Sequence, residues 1–190
     1  MKKTILIAAT AFLFSMAATA QTKFAHVNFD ELVQLMPETD SAMVQMDAAN
    51  KEAQETYNSM LSEFQTKYDQ YNQKQASWTP AIRESKEREL GEIQNRIQEF
   101  QQAIQQEISQ LQNTLMAPIY KKAQETVQSL AKTKGVIYVY NSASLLYIDE
   151  NQSINLTQEA RKALNIPDDK TMESVMAARQ AQAEAQGAAQ

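Results

Sequence analysis

Between residues 40 and 130, apolar side chains recur at alternating three- and four-residue steps in two long stretches, separated by Trp78-Thr79-Pro80. That spacing places about one side chain per turn on a single stripe of an α-helix, so each stretch reads as an amphipathic helix with a narrow seam. In the first stretch the stripe is Met43, Met46, Ala53, Tyr57, Met60, Phe64, Tyr71 and Trp78, its gaps filled by Asn50, Lys67 and Gln75. In the second it is Leu90, Ile93, Ile97, Phe100, Ile104, Leu111, Leu115 and Pro118, with Glu107 or Ile108 between. Two such helices joined by a tight turn bury their stripes on each other. The chain is therefore expected to form a long antiparallel hairpin, with Met46, Phe64, Ile97 and Phe100 in its seam. Glu84 with Arg88 and Glu92 with Arg96 stand four residues apart on the outer face, each pair worth about 0.2–0.5 kcal/mol.

The turn and the far end carry their own signals. Thr79 can cap the second helix through its hydroxyl, and Pro80 suits the first helical position, where a missing N–H costs no bond. The tip falls near residues 76–80. Lys132, Lys134 and then Gly135 supply positive charge in a last turn and a residue tolerant of the left-handed cap. Some forty residues of helix give an arm of roughly 60 Å. Folding the chain at Trp78 brings Pro118 level with Pro37, and an interior proline removes a backbone bond at a cost of about 3 kcal/mol. The pair Pro37 and Pro118 is read as the hinge at the arm root.

Outside the hairpin the pattern is extended. Residues 23–29 alternate weakly, Asp30 can cap a short helix reaching Met36, and Val136-Ile137-Tyr138-Val139-Tyr140 is β-branched and aromatic on both faces. After Asn141-Ser142-Ala143-Ser144, a loop of hairpin length, residues 145–148 read as another strand. A small sheet that is apolar on both sides must be covered twice. One cover is the lower part of the second helix, residues 119–130. The other is a neighbouring subunit, with Val27, Phe29, Val136, Tyr138 and Leu146 as interface candidates. Thr157 caps a short helix ending near Leu164-Asn165, and the Ala-, Gln- and Met-rich remainder reads as a frayed or disordered tail. The fold class is α+β, mainly α. Its expected divisions are 21–36 (body), 37–118 (hairpin), 119–165 (body) and 166–190 (tail).

Residues 1–20 read as a signal peptide cleaved after Ala20: Lys2 and Lys3 precede an apolar run over residues 5–16, and Ala18-Thr19-Ala20 supplies the small residues a signal peptidase requires. That run is too short for a stable membrane anchor. The mature chain is expected to be exported and soluble. With no cysteine in the sequence, disulfides, thiolate metal sites and a lipid-modified cysteine are excluded. Removing residues 1–20 takes away two lysines, leaving 16 basic against 23 acidic groups and a formal charge of −7. Such a surface offers no footprint for nucleic acid and is repelled by anionic lipid. Three glycines form no phosphate-cradling loop, so ATP is not expected, and no cofactor is. His26 is the only histidine, a packed strand residue rather than a ligand. No Ser, His and Asp arrangement suggests a nucleophile, and the chain does not read as an enzyme.

Several segments together carry a family resemblance. The strand Lys23-Phe24-Ala25-His26-Val27-Asn28-Phe29, the proline-broken Ala117-Pro118-Ile119-Tyr120-Lys121-Lys122-Ala123, the strand entry Lys134-Gly135-Val136-Ile137-Tyr138-Val139, Leu145-Leu146-Tyr147, and Asn155-Leu156-Thr157 resemble the Skp/OmpH family of periplasmic chaperones over roughly residues 22–165. The resemblance implies a periplasmic homotrimer in which strands from three chains form a body and three hairpins hang from it like tentacles. Members hold unfolded outer-membrane β-barrel proteins in the cavity between the arms without ATP. Two features depart from the pattern. Asn155 stands where an Asp commonly opens the last motif, and the mature chain is acidic where well-known relatives are basic, which argues against carrying over a lipopolysaccharide site. Any membrane contact is expected to be indirect.

Against that background Leu61, Tyr68, Tyr71, Trp78 and Ile82 are the client-contact candidates, because a two-helix hairpin cannot cover them all and adaptable apolar surfaces suit weak, unselective contacts. For Trp78, stapling of the turn competes equally. The alternative function is a structural coiled-coil adaptor that docks one folded cell-envelope partner.

Overall fold

The computed structural model describes residues 24–187; the expected signal peptide lies outside the described residues. Chain order is β1 (Phe24–Val27), α1 (Phe29–Leu35), α2 (Pro37–Lys74), a 3₁₀ turn at Gln75–Ser77, α3 (Pro80–Lys134), β2 (Tyr138–Asn141), β3 (Ser153–Asn155), α4 (Thr157–Ala163) and α5 (Met172–Gly187). The α2 and α3 helices are the expected hairpin. With 38 and 55 residues they run about 57 and 82 Å at 1.5 Å per residue.

The turn is built as its residues dictate. Thr79 Oγ1 accepts from Ile82 N–H at 3.4 Å, Pro80 opens α3, and Arg83 Nη2 donates to the Gln75 carbonyl across the tip at 3.2 Å. At the other end Gly135 adopts φ 64°. Its N–H bonds the Lys132 carbonyl and the N–H of Val136 bonds that of Ala131, a Schellman closure that only a residue free of Cβ strain makes cheaply.

Pro37 occupies a different place from the one expected. It is the first residue of α2, following an extended Met36 (φ −62°, ψ 140°), so it removes no intrahelical bond and sets a corner between α1 and the arm. Of the two prolines, only Pro118 lies inside a helix. The cap of α1 is Asn28 rather than Asp30: its Oδ1 accepts from Glu31 N–H at 3.2 Å, and its Nδ2 donates to Glu31 Oε2 at 2.8 Å. The outer-face pairs of α3 also rearrange. Arg96 reaches across the seam to Glu63 at 2.6 Å, and Lys86 pairs with Glu89.

The sheet has order β2-β1-β3, and both pairings are parallel. This corrects the strand expected at residues 145–148: no antiparallel hairpin follows β2, and the third strand is Ser153–Asn155, set against Phe24, Ala25 and His26. Thr157 begins α4 instead of capping it. Asn155 Oδ1 accepts from Thr157 N–H at 2.9 Å, so the amide performs the local turn, and the Thr157 hydroxyl accepts from Asn28 N–H at 3.1 Å.

Ala25 and Val27 point from β1 into a core with Leu32, Val33, Leu35 and Met36 of the α1 segment, Ile119, Ala123 and Val127 of α3, and Leu156, Ala160 and Leu164 around α4. The chain thus covers one sheet face with its own helices. Ile166 and Val175 join that core, so the segment expected to be frayed docks, and residues 172–187 form α5. Beyond the root the arm is thinly packed: among the described residues of α2 only Thr39 and Ala42 are buried, and on the distal part of α3 only Ile93 and Ile97.

Candidate functional site

Along the arm, the seam leaves a line of apolar side chains uncovered. Met43, Leu61 and Tyr68 are 41%, 40% and 45% exposed. Leu61 lies 18 residues beyond Met43 and Tyr68 seven beyond Leu61, about five and two helical turns, so the three share one side of α2. Between them Asn50, Gln54 and Tyr57 line an open groove of about 400 Å³ against Phe100, Ile104 and Ile108. Small residues at Ala49 and Ala53 facing isoleucines leave this waist of the arm under-filled.

The expected client-contact residues divide. Leu61, Tyr68 and Ile82 are exposed, whereas Tyr71 and Trp78 are half-buried and meet edge to face at 5.9 Å, as a turn staple does. Tyr68 stacks on Phe64 at 5.9 Å, so its ring lies flat on the arm and presents a face. Met43 is a correction, since the sequence places it in the seam and the structure leaves it uncovered, and Val44 was not singled out in the sequence. The signal for Val44, which is 68% exposed, was its step off the seam.

Polar contacts hold the two rods in register. Lys67 bonds Glu89, Tyr71 Oη donates to Glu87, Gln101 donates to Tyr57 Oη at 3.0 Å, and Lys122 bonds Glu38 at the root. The hydrogen bond from Lys67, then that from Lys86, holds the Glu89 carboxyl below its usual value, and the bond from Lys122 does the same for Glu38. Lys67 is raised in turn by Glu89, and the Tyr71 phenol is raised by donating to Glu87. All of these groups keep their ordinary charge at neutral pH. They align the arm without offering proton-transfer chemistry.

The body presents the second feature. Phe24, Tyr138 and Tyr140 alternate with inward residues, so their rings gather on the uncovered face of the sheet. Phe24 stacks on Tyr138 at 6.2 Å, and Tyr138 lies 6.2 Å from Tyr140. Ile137, which lines a groove with Val27 and Val139 on the helix side, is 59% exposed; in the loop after β2 Tyr147 is 80% exposed and Leu146 fully exposed. Among the described residues the strand order leaves one side of β2 unpaired, an edge that natural proteins rarely leave open. On the same face His26 is buried, its Nδ1 2.8 Å from Ser153 Oγ, so the histidine spends a ring nitrogen on a neighbouring strand.

Of the interface candidates, Tyr138 lies on this aromatic face and Leu146 is exposed in the loop after β2. Val27 is a correction: at 2% exposure it points into the chain's own core, because β1 alternation turns it away from Phe24 and His26. Phe29 and Val136 are half-buried against that core, and the Phe29 ring lies 6.3 Å from that of Tyr120. Sequence reading missed Phe24, Tyr140 and Tyr147. The two-residue step from Tyr138 to Tyr140 was the available sign that both share a face.

At the root, Pro118 sits inside α3 without an N–H for the Thr114 carbonyl, so the helix lacks one rung there. Among the described residues no group of three or more His, Cys, Asp or Glu side chains is placed to hold a metal ion, and no helix is long and apolar enough to cross a membrane.

A family model described as Outer membrane protein (OmpH-like) matches residues 23–164. Among solved structures, a crystal structure of a candidate outer membrane chaperone (OmpH-like) from Caulobacter crescentus is similar at a TM-score of 0.66 and 11% identity, over 78% of this chain and 86% of that one. No curated protein matches the sequence.

Proposed function

The chain belongs to the OmpH-like outer membrane protein family, and from that premise we propose that it is a periplasmic, ATP-independent holdase for unfolded outer-membrane β-barrel proteins. The observation that carries this reading is the free-standing arm with Met43, Leu61 and Tyr68 uncovered along one side. An unfolded β-barrel chain offers alternating apolar residues without fixed shape. A shallow line of Met, Leu and Tyr can meet such a chain in many registers, each contact weak and replaceable.

Weak contacts hold a client only if several surfaces act at once, because a linked set converts later contacts into intramolecular ones. The body supplies the means. Its aromatic sheet face and the unpaired edge of β2 suit pairing with further copies of the chain, and a homotrimer joined there sets three arms around one cavity. Tyr138 and Leu146 carry that interface, with Phe24, Tyr140 and Tyr147 beside them. Such an assembly is non-enzymatic, needs no cofactor, and draws in clients by apolar contact, since its acidic surface does not steer acidic ones.

The test dilutes an unfolded outer-membrane β-barrel protein from denaturant into buffer with the chain at molar excess and no nucleotide, and follows light scattering. Suppressed aggregation is expected; unaltered scattering at threefold excess of subunits overturns the reading. Molar mass in solution checks the assembly: a mass of several chains is expected, falling to that of one in a Tyr138→Glu, Leu146→Glu variant. Saturable binding to one folded envelope protein, lost on a single surface substitution and without protection of unfolded clients, would establish the adaptor role instead.

A further inference from the structure

We infer that α5, which lies beyond the family-matched region, is a splint across the hinge of the arm and sets how far the arm can swing. The segment is fastened to the body first. Arg161 is 4% exposed and donates to Glu31 Oε1 at 3.2 Å, to the Pro167 carbonyl at 2.9 Å and to the Lys170 carbonyl at 2.6 Å, pinning the turn before α5 against α1. Lys170 Nζ then donates to the Leu35 carbonyl at 3.0 Å, one of the acceptors that the end of α1 leaves without a helical partner, and to Asp40 at 2.5 Å. Thr171 opens α5 as a cap, its Oγ1 accepting from Ser174 N–H at 3.1 Å, and Val175 is buried in the core.

The other end is tied to the arm itself. Gln182 Nε2 donates to Asp47 Oδ2 at 2.7 Å. The cross-arm pairs Glu38 with Lys122 and Tyr57 with Gln101 place Pro118 level with residues 40–42 of α2. The rung missing at Thr114 and Pro118 therefore lies above the anchors at Glu31 and Leu35 and below the tie at Asp47. Along this stretch the root is three helices thick, while the arm above has two. Bending at Pro118 must slide α2 past α5, stretching the Gln182–Asp47 bond or lifting Val175.

This inference rests on Pro118 being the hinge, and the experiment separates the two. Spin labels at Ala76→Cys near the tip and Asn151→Cys on the body report arm position as a distance distribution, in the full chain and with Val175→Asp, Gln182→Pro, Pro118→Ala, or Pro118→Ala combined with either. Val175→Asp lifts the whole helix. Gln182→Pro breaks the upper tie together with the last turns of α5 and leaves Val175 in the core, so it serves if Val175→Asp fails to fold. Each is expected to broaden the distribution and to speed hydrogen exchange of the amides around Thr114 and Pro118 roughly tenfold. Pro118→Ala is expected to narrow the distribution in every background. A distribution unmoved by Gln182→Pro, while Pro118→Ala still narrows it, overturns the splint and leaves the hinge. No effect of Pro118→Ala overturns the hinge, and the splint with it; neither result touches protection of clients, which the scattering assay reads separately.

Discussion

Replacing Ile97 with Ala tests whether the distal arm is held by a seam one residue wide. Ile97 and Ile93 are 9% and 4% exposed and are the buried apolar residues of the arm above its root. Cross-arm pairs Arg96 with Glu63 and Tyr57 with Gln101 place Ile97 opposite residues near 60–63. Ile97→Ala deletes about three methylene-sized groups at roughly 0.8 kcal/mol each, about 2–3 kcal/mol, near the low end for buried isoleucines because slender rods can close around the gap. Nothing else in the distal arm compensates, so that loss falls on local opening of the arm rather than on the body. At about 1.4 kcal/mol per decade the opened tip becomes roughly thirty- to a hundredfold more populated. Native-state hydrogen exchange reads this directly: amides of residues 60–74 and 84–100 should exchange faster by that factor, while those of β1 and α1 stay unchanged. Leu61→Ala, at a site 40% exposed, is the control and should cost under about 1 kcal/mol. Equal effects at Ile97 and Leu61, or equal acceleration in arm and body, would refute the reasoning.

Other outcomes follow from single interactions. Gly135→Ala places a Cβ at φ 64°, where open space surrounds it but the backbone is strained, and should lower stability by about 1 kcal/mol in denaturant melts. Arg161→Met leaves the Pro167 and Lys170 carbonyls and Glu31 without their donor, and should cost about 3 kcal/mol and release α5, seen as lost exchange protection over residues 172–187. Glu38 and Glu89 titrate below their usual 4.5, so their contribution is present above that pH and is lost as pH falls through the lowered values. Lys67 titrates above its usual 10.5, so its contribution is present below that pH and is lost only above the raised value. Thermal melts should therefore be flat between about pH 5 and 10 and decline on the acid side, and a decline between pH 6 and 8 would contradict it.

The hairpin was legible because everything that makes it is local. A stripe at helical spacing, Thr79 and Pro80 at one end and Gly135 at the other act over a few residues, and the structure places its turns there. The exposed arm residues were legible in part, since Leu61, Tyr68 and Ile82 stand off the stripe and remain uncovered. Pairing in the sheet was not legible. Residues 145–148 are apolar enough for a strand, yet the edge of β1 is taken by Ser153, Ile154 and Asn155, which carry little strand signal of their own. In a parallel sheet, partners are joined only through long connections, here more than a hundred residues between β1 and either neighbour, so no turn sequence announces them. Val27 belonged to the core and Tyr138 to the surface for the same reason: alternation was visible, but which side the helices would cover was not. The last helix makes the same point. Its Ala- and Gln-rich composition permits helix anywhere, and only the docking of Arg161, Lys170 and Val175 against α1 and the arm root decided that it has a place.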